Sequence, residues 1–210
     1  MRALIVANGD MPAHELVRQL AEEADFVLAA DGGGDRAIAA GVVPELVAGD
    51  LDSLSDAARE QLGAARLRRI ADPETTDLEK VIAVALERGA TTIVICGAGG
   101  GRADHALANL SVLVRFRGRA AISIIDDLFT IRLVDGETAI ERPAGTVVSL
   151  VAIGRCEGVT TTGLRWPLEN ATLEFSPRGI HNEVAASVAS VRAASGDLLL
   201  FEGRWVEKHG

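Results

Sequence analysis

Along the first 125 positions, apolar residues fall into short unbroken runs. Ala3–Ala7 (ALIVA), Phe26–Ala30 (FVLAA), Glu45–Ala48 (ELVA), Thr92–Cys96 (TIVIC) and Ala121–Ile125 (AISII) lack polar alternation. That is the mark of strands buried on both faces. Between the runs the spacing becomes helical. A helix is expected to open at Pro12 and His14 and run through Ala24, and a short one to span Asp35 to Ala40, closed by Gly41. A third spans Leu78 to Arg88, with Leu78, Val81, Ile82, Ala85 and Leu86 on one face and Gly89 at its end. A fourth runs from Asp104 to Phe116. Buried strands alternating with helices predict a Rossmann-like parallel sheet with helices on both faces.

After Asp126 the helical spacing stops. Thr130–Val134, Thr146–Ile153, Val159–Thr162, Ala171–Phe175, Glu183–Val191 and Asp197–Glu202 are short and rich in Val, Thr and Leu. Gly, Pro, Asn or Ser separates them. This half is expected to form an antiparallel β-sandwich. The change of character lies near residues 126–135, which gives domains 1–127 and 128–210.

Composition narrows the partners. Lys and Arg total 21 against 30 Asp and Glu, a formal charge of -9. Nucleic acid and anionic membrane surfaces need a basic footprint, so neither is expected to bind. An anionic small molecule stays possible if a metal carries the positive charge. The first apolar run is stopped by Asn8, Gly9 and Asp10, too early for a signal peptide. No apolar stretch approaches the roughly 20 residues of a membrane helix. Two cysteines, Cys96 and Cys156, make no disulfide framework, and a reducing, cytoplasmic location is expected.

The chemistry sits where the strands end, which is where parallel α/β sheets bind ligands. The second strand is followed by Asp31-Gly32-Gly33-Gly34 and the third by Gly49-Asp50-Leu51-Asp52-Ser53. Asp72 and Thr75-Thr76-Asp77 precede the long helix, with Lys80 one turn on. The fourth strand leads into Gly97-Ala98-Gly99-Gly100-Gly101-Arg102-Ala103-Asp104-His105. Asp31, Asp50, Asp52 and Asp77 would converge on one edge. Such a set needs a cation to stay ionised, and Mg²⁺ suits carboxylates shared with phosphates. The plainer reading of each Asp alone is a helix cap. Glycines at Gly32–Gly34 and Gly97–Gly101 would let backbone N–H groups approach phosphate, with Lys80 and Arg102 as the cations. Glycine-rich turns can also be purely structural. No Walker-type G-x-x-x-x-G-K-[ST] run occurs. The Asp50-x-Asp52 pair keeps a metal-dependent phosphatase open as an alternative, although it follows the third strand rather than the first. His105 could serve as a base or simply lie in a helix cap.

Taken together, ADGGGDRA (Ala30–Ala37), PELVAGDLDSL (Pro44–Leu54), DPETTDLEK (Asp72–Lys80), GAGGGRADHALANL (Gly97–Leu110) and TTTGLRWPLEN (Thr160–Asn170) resemble the thiamine pyrophosphokinase family. The resemblance covers nearly the whole chain. It implies transfer of the pyrophosphoryl group of ATP to thiamine with release of AMP, Mg²⁺ as cofactor, and a homodimer whose substrate site is shared between chains. It further implies that Asp31, Asp50, Asp52 and Asp77 form the Mg²⁺-linked set, the last three being catalytic. Gly32, Gly33, Lys80, Gly100 and Arg102 would contact ATP. Asp104, Trp166 and Asn182 would contact thiamine. The family usually has Ser-Asn where this chain has His181-Asn182, so only Asn182 carries over. A non-catalytic nucleotide- or thiamine-binding module of the same fold is the remaining alternative. Trp166 also stands out by itself: with two Trp, five Phe and no Tyr, aromatic surface is scarce, and a planar cation favours an aromatic face. Covering the end of the sandwich is the other role open to it.

Overall fold

The computed structural model describes residues 1–206, and the chain divides into two compact units, Met1–Asp127 and Leu128–Gly210. The first unit alternates strands and helices: β1 (Arg2–Val6), α1 (His14–Glu22), β2 (Phe26–Ala30), α2 (Gly33–Ala39), β3 (Leu46–Gly49), α3 (Asp56–Leu62), β4 (Leu67–Arg69), α4 (Asp77–Glu87), β5 (Thr92–Cys96), α5 (Ala103–Arg115) and β6 (Ala121–Ile125). Its strands lie in the order β4-β3-β2-β1-β5-β6, all parallel. The chain therefore builds outward from β1 to β4, then crosses back over α4 to lay β5 on the other side of β1. Where the direction of winding reverses, loops at the strand C-termini diverge and leave a crevice.

The unbroken apolar runs become the central strands. All of β2 is buried, as are Ala3 through Val6 of β1 and Ile93 through Cys96 of β5. Truncating a fully buried side chain such as Ile5 or Ile95 to Ala would cost about 2–5 kcal/mol. On α4, Leu78, Val81, Ile82 and Ala85 are buried, the face expected from the spacing. In this unit one α-helix and one strand were not expected. The first is α3, started by Ser55, whose side chain accepts the Ala58 N–H at 3.1 Å. The second is the edge strand β4. The second helix also begins at Gly33 rather than Asp35.

The second unit is antiparallel: β7 (Phe129–Leu133), β8 (Glu137–Ile140), β9 (Thr146–Thr162), β10 (Ala171–Leu173), β11 (Asn182–Glu183), β12 (Ala189–Arg192) and β13 (Ser195–Val206). Strand β13 lies between β7 and β9. The far end of β9, Thr160–Thr162, pairs instead with β12, which also pairs with β8. What reads as two strands, Thr146–Ile153 and Val159–Thr162, is thus one long strand serving two sheets. Gly154 and Gly158 along it have φ of 80° and 65°. The expected strand Glu183–Val191 is instead split into β11 and β12. Val148, Leu150, Leu173, Val191, Leu198 and Leu200 are among the side chains that fill the core. Among the described residues, no helix is long and apolar enough to cross a membrane.

Candidate active site

A cleft of about 580 Å³ opens at the C-terminal ends of β1, β2, β3 and β5. Its floor is acidic. Carboxylate oxygens of Asp31, Asp50 and Asp77 lie within 4.8 Å of one another. Asp31 follows β2 with φ of 46° and is 4% exposed. Its Oδ2 accepts the Ser53 N–H at 3.1 Å, while its Oδ1 is buried without a hydrogen-bond partner among the described residues. Burial pushes the Asp31 carboxyl above its ordinary value, and neighbouring Asp77 adds to the rise. The close approach depends on Gly49, the last residue of β3. A Cβ there would meet Asp77 Oδ1 at 2.9 Å and Asp31 Cβ at 3.1 Å.

Asp77 is placed by its helix. Thr76 caps α4 in a reciprocal box, accepting the Glu79 N–H at 3.3 Å while Glu79 Oε2 accepts the Thr76 N–H at 2.9 Å. Lys80, one turn on, is buried, and its Nζ donates to Asp77 Oδ1 at 2.9 Å. The Asp50 N–H donates to the same oxygen at 3.2 Å. A buried ammonium against the trio offsets part of its negative charge.

Asp52 lies on the cleft wall but outside the trio. It bonds Ser53 Oγ at 2.9 Å, and its N–H caps Asp50 Oδ1 at 3.1 Å. Leu51, at φ of 65°, turns the chain between the two acids. Gly32 and Gly33 are absent from the cleft wall. A Cβ at Gly33 would collide with the Val6 carbonyl, and one at Gly32 with the Asn8 side chain. Their small size seats α2 against the end of β1. Gly100 and Arg102 do line the cleft. Asp104 does not. It is exposed and paired with Arg102, which donates from Nε at 3.1 Å and from Nη2 at 2.6 Å. Those bonds hold its carboxyl down at about 2. The residues of α5 that line the cleft are His105, Ala106 and Asn109, spaced one, three and four apart and therefore on one side of the helix. Asn8, Ser53, Asp72, Thr75 and Thr76 complete the polar lining. Of the lining residues outside the expected site set, Asn8, Ser53, Asp72 and Thr75 had a signal in lying at strand ends or ahead of a helix. Asn109 had none.

In the second unit, Trp166 is 54% exposed, on the segment between β9 and β10. Thr161 holds one side of this segment: its Oγ1 accepts the Leu168 N–H at 2.8 Å, and its own N–H donates to the Leu168 carbonyl at 2.9 Å. The other side meets Asn182 and Glu183. The Arg165 N–H donates to the Glu183 carbonyl at 2.9 Å, and the two side chains pair at 3.1 Å. The Arg165 guanidinium carbon sits 5.0 Å from the Trp166 ring centre.

Comparison with known proteins places this arrangement. Residues 17–125 match the model of the thiamin pyrophosphokinase catalytic domain, and residues 137–197 match that of the thiamin pyrophosphokinase vitamin B1 binding domain. Thiamine pyrophosphokinase 1 of Oryza sativa subsp. japonica is 33% identical over 146 residues, 63% of this chain and 55% of that relative. Thiamine pyrophosphokinase 2 of the same plant is 30% identical over 232 residues, 94% of this chain and 84% of the relative. The crystal structure of thiamine pyrophosphokinase from Bacillus subtilis superposes with a TM-score of 0.84 at 27% identity, covering 97% of this chain and 99% of that one. With both halves matched in order and the acidic cleft at the switch point of the first, the chain belongs to the thiamine pyrophosphokinase family of ATP-dependent pyrophosphotransferases.

Proposed function

We propose that this chain transfers the pyrophosphoryl group of ATP to the hydroxyl of thiamine, giving thiamine diphosphate and AMP. The observation that carries this reading, beside family membership, is the Asp31–Asp50–Asp77 trio with the unpartnered Asp31 oxygen at its centre. Three carboxylates, one of them with an orphaned buried oxygen, form a hard-oxygen donor set, and Mg²⁺ fits it. Asp31, Asp50 and Asp77 would hold the ion, with Asp52 beside them, and the ion would neutralise charge on the phosphate oxygens.

The protein's own part is positioning and charge balance, as in phosphoryl transfer generally. The thiamine hydroxyl oxygen attacks the β-phosphorus of ATP and gives up its proton to solvent, the bond from that phosphorus to the bridging α–β oxygen breaks, and AMP leaves with the bridging oxygen. Lys80, buried beside the trio, and Arg102, on the wall, face the phosphate chain. Gly100 lets the backbone come close to it. Asp104 orients Arg102 rather than touching the thiamine. Its carboxyl, held at about 2 by that pairing, is also a poor proton acceptor. The first unit is the ATP- and Mg²⁺-binding domain and the second the thiamine-binding domain, where the Trp166 indole stacks on the thiazolium. The working form is a homodimer in which Trp166 reaches a site on the partner chain. Family membership favours this reading over a phosphatase that uses Asp50 as nucleophile.

AMP release from ATP, measured with and without thiamine, tests the assignment. Thiamine-dependent AMP is the expected product. ADP, orthophosphate, or thiamine-independent turnover would overturn it.

A further inference from the structure

We propose that Asn182 is a positioning residue that acts through Trp166 and does not contact the substrate. The inference rests on the thiamine-stacking role given to Trp166 above. Asn182 is 8% exposed, and its amide is almost fully committed. Its Oδ1 accepts the Trp166 N–H at 3.1 Å and the Glu183 N–H at 2.8 Å, which uses both lone pairs. Its Nδ2 donates to the Trp166 carbonyl at 2.6 Å. One amide side chain thus satisfies both backbone groups of a single residue, as a paired strand would. It does so where the ladder stops, because Leu164 and Val184 form only an isolated bridge and Pro167 follows Trp166. Only one N–H of a buried group is left over for a ligand.

The clamp solves a definite problem. A stacking residue must be exposed to meet its ligand, yet an exposed side chain on an irregular segment pays entropy when it is ordered on binding. Asn182 fixes the backbone at residue 166, and Arg165, tethered to Glu183, covers one face of the indole. The other face is presented with its orientation already set. A thiamine-sized planar cation then meets an ordered ring.

The test uses the full chain carrying Trp205→Phe, so that Trp166 is the only fluorophore of its kind. Asn182→Ala is expected to lower Trp166 anisotropy and to weaken thiamine binding by about 3- to 10-fold, part of the loss expected when stacking goes altogether. Binding of a non-hydrolysable ATP analogue and turnover at saturating thiamine should hold within about twofold of the parent. Asn182→Asp keeps the acceptor bonds and loses the donor bond, so it should fall between the two, and it carries the test alone if Asn182→Ala does not fold. Adding Asn182→Ala to Trp166→Ala should cost nothing more in thiamine affinity. An equal loss in that background would show a direct contact and overturn the proposal, as would an unchanged thiamine constant in Asn182→Ala while Trp166→Ala weakens it. An unchanged constant in Trp166→Ala would instead overturn the stacking role itself, and this inference with it.

Discussion

Replacing Asp31 by Asn should make the metal-free protein more stable and the enzyme nearly inactive. The carboxylate is 4% exposed, one oxygen has no partner among the described residues, and two further carboxylates have oxygens within 4.8 Å. A buried polar group left unsatisfied costs about 1–3 kcal/mol, and more when charged. An amide of the same shape can keep the Ser53 N–H bond with its oxygen and turn its NH₂ toward Asp50 and Asp77. Repulsion becomes hydrogen bonding. For a chain of this size 1 kcal/mol moves the melting temperature by about 2–4 °C, so a rise of roughly 2–10 °C is expected in EDTA. The same change removes a charge from the Mg²⁺ set, and loss of such a charge clamp typically costs about 10²-fold or more in rate. Scanning calorimetry in EDTA, then with Mg²⁺ and a non-hydrolysable ATP analogue, reads both effects. Wild type should gain stability from the ligands by mass action and the variant should gain little. A variant that melts lower than wild type in EDTA, or that keeps the full ligand shift, refutes the picture of Asp31 as a strained charge held for a metal.

Three further outcomes follow from the same geometry. Carbon-13 NMR titration should place the Asp104 carboxyl at about 2, so its pairing with Arg102 persists from neutral pH down past 3.8 and is lost only as pH falls through 2; Arg102→Gln should return it toward its ordinary 3.8. Burial pushes the Cys96 thiol up to about 12, so iodoacetamide at pH 8 should leave Cys96 unmodified in the native protein and label it on unfolding. Mixing Asp50→Asn and Trp166→Ala chains should restore part of the activity if sites are shared, because a mixed dimer holds one site free of both lesions; no recovery despite proven subunit exchange would confine each site to one chain.

The central strands were readable because burial on both faces leaves unbroken apolar runs, and α4 because eleven residues give three turns of spacing. The stretch between β3 and α4 was not. In α3 only Ala58 and Leu62 are buried, too few to show a period, and β4 is a three-residue edge strand with two exposed arginines. Strand β8 was missed for its length of four residues. At the site, Asp31, Asp50 and Asp77 were legible because each stands at a strand end or a helix start, positions the topology brings together. Asp52 and Asp104 stand outside the trio. One follows the left-handed Leu51 on the cleft wall, and the other sits in the first turn of α5 next to His105, which does face the cleft. Which side of a first turn faces a ligand depends on how the helix is laid down, and motif spacing carries no such information.

The place of β13 decides when the second unit can fold. Residues 195–206 form a strand between β7 and β9 rather than an edge, so the sheet has no middle until the last of them has left the ribosome. The first unit also has a distant pairing, Arg2 with Thr92, but all its strands lie before residue 126, so it can acquire structure while the chain is still growing. The second joins segments more than sixty residues apart, β7 to β13, and must wait before its most distant contacts repay the cost of closing that loop. Until then β9, seventeen residues rich in Val and Thr, stands without its main partner. A stall in synthesis short of residue 195 would leave the cell with an ordered nucleotide fold trailing an unpaired, aggregation-prone strand.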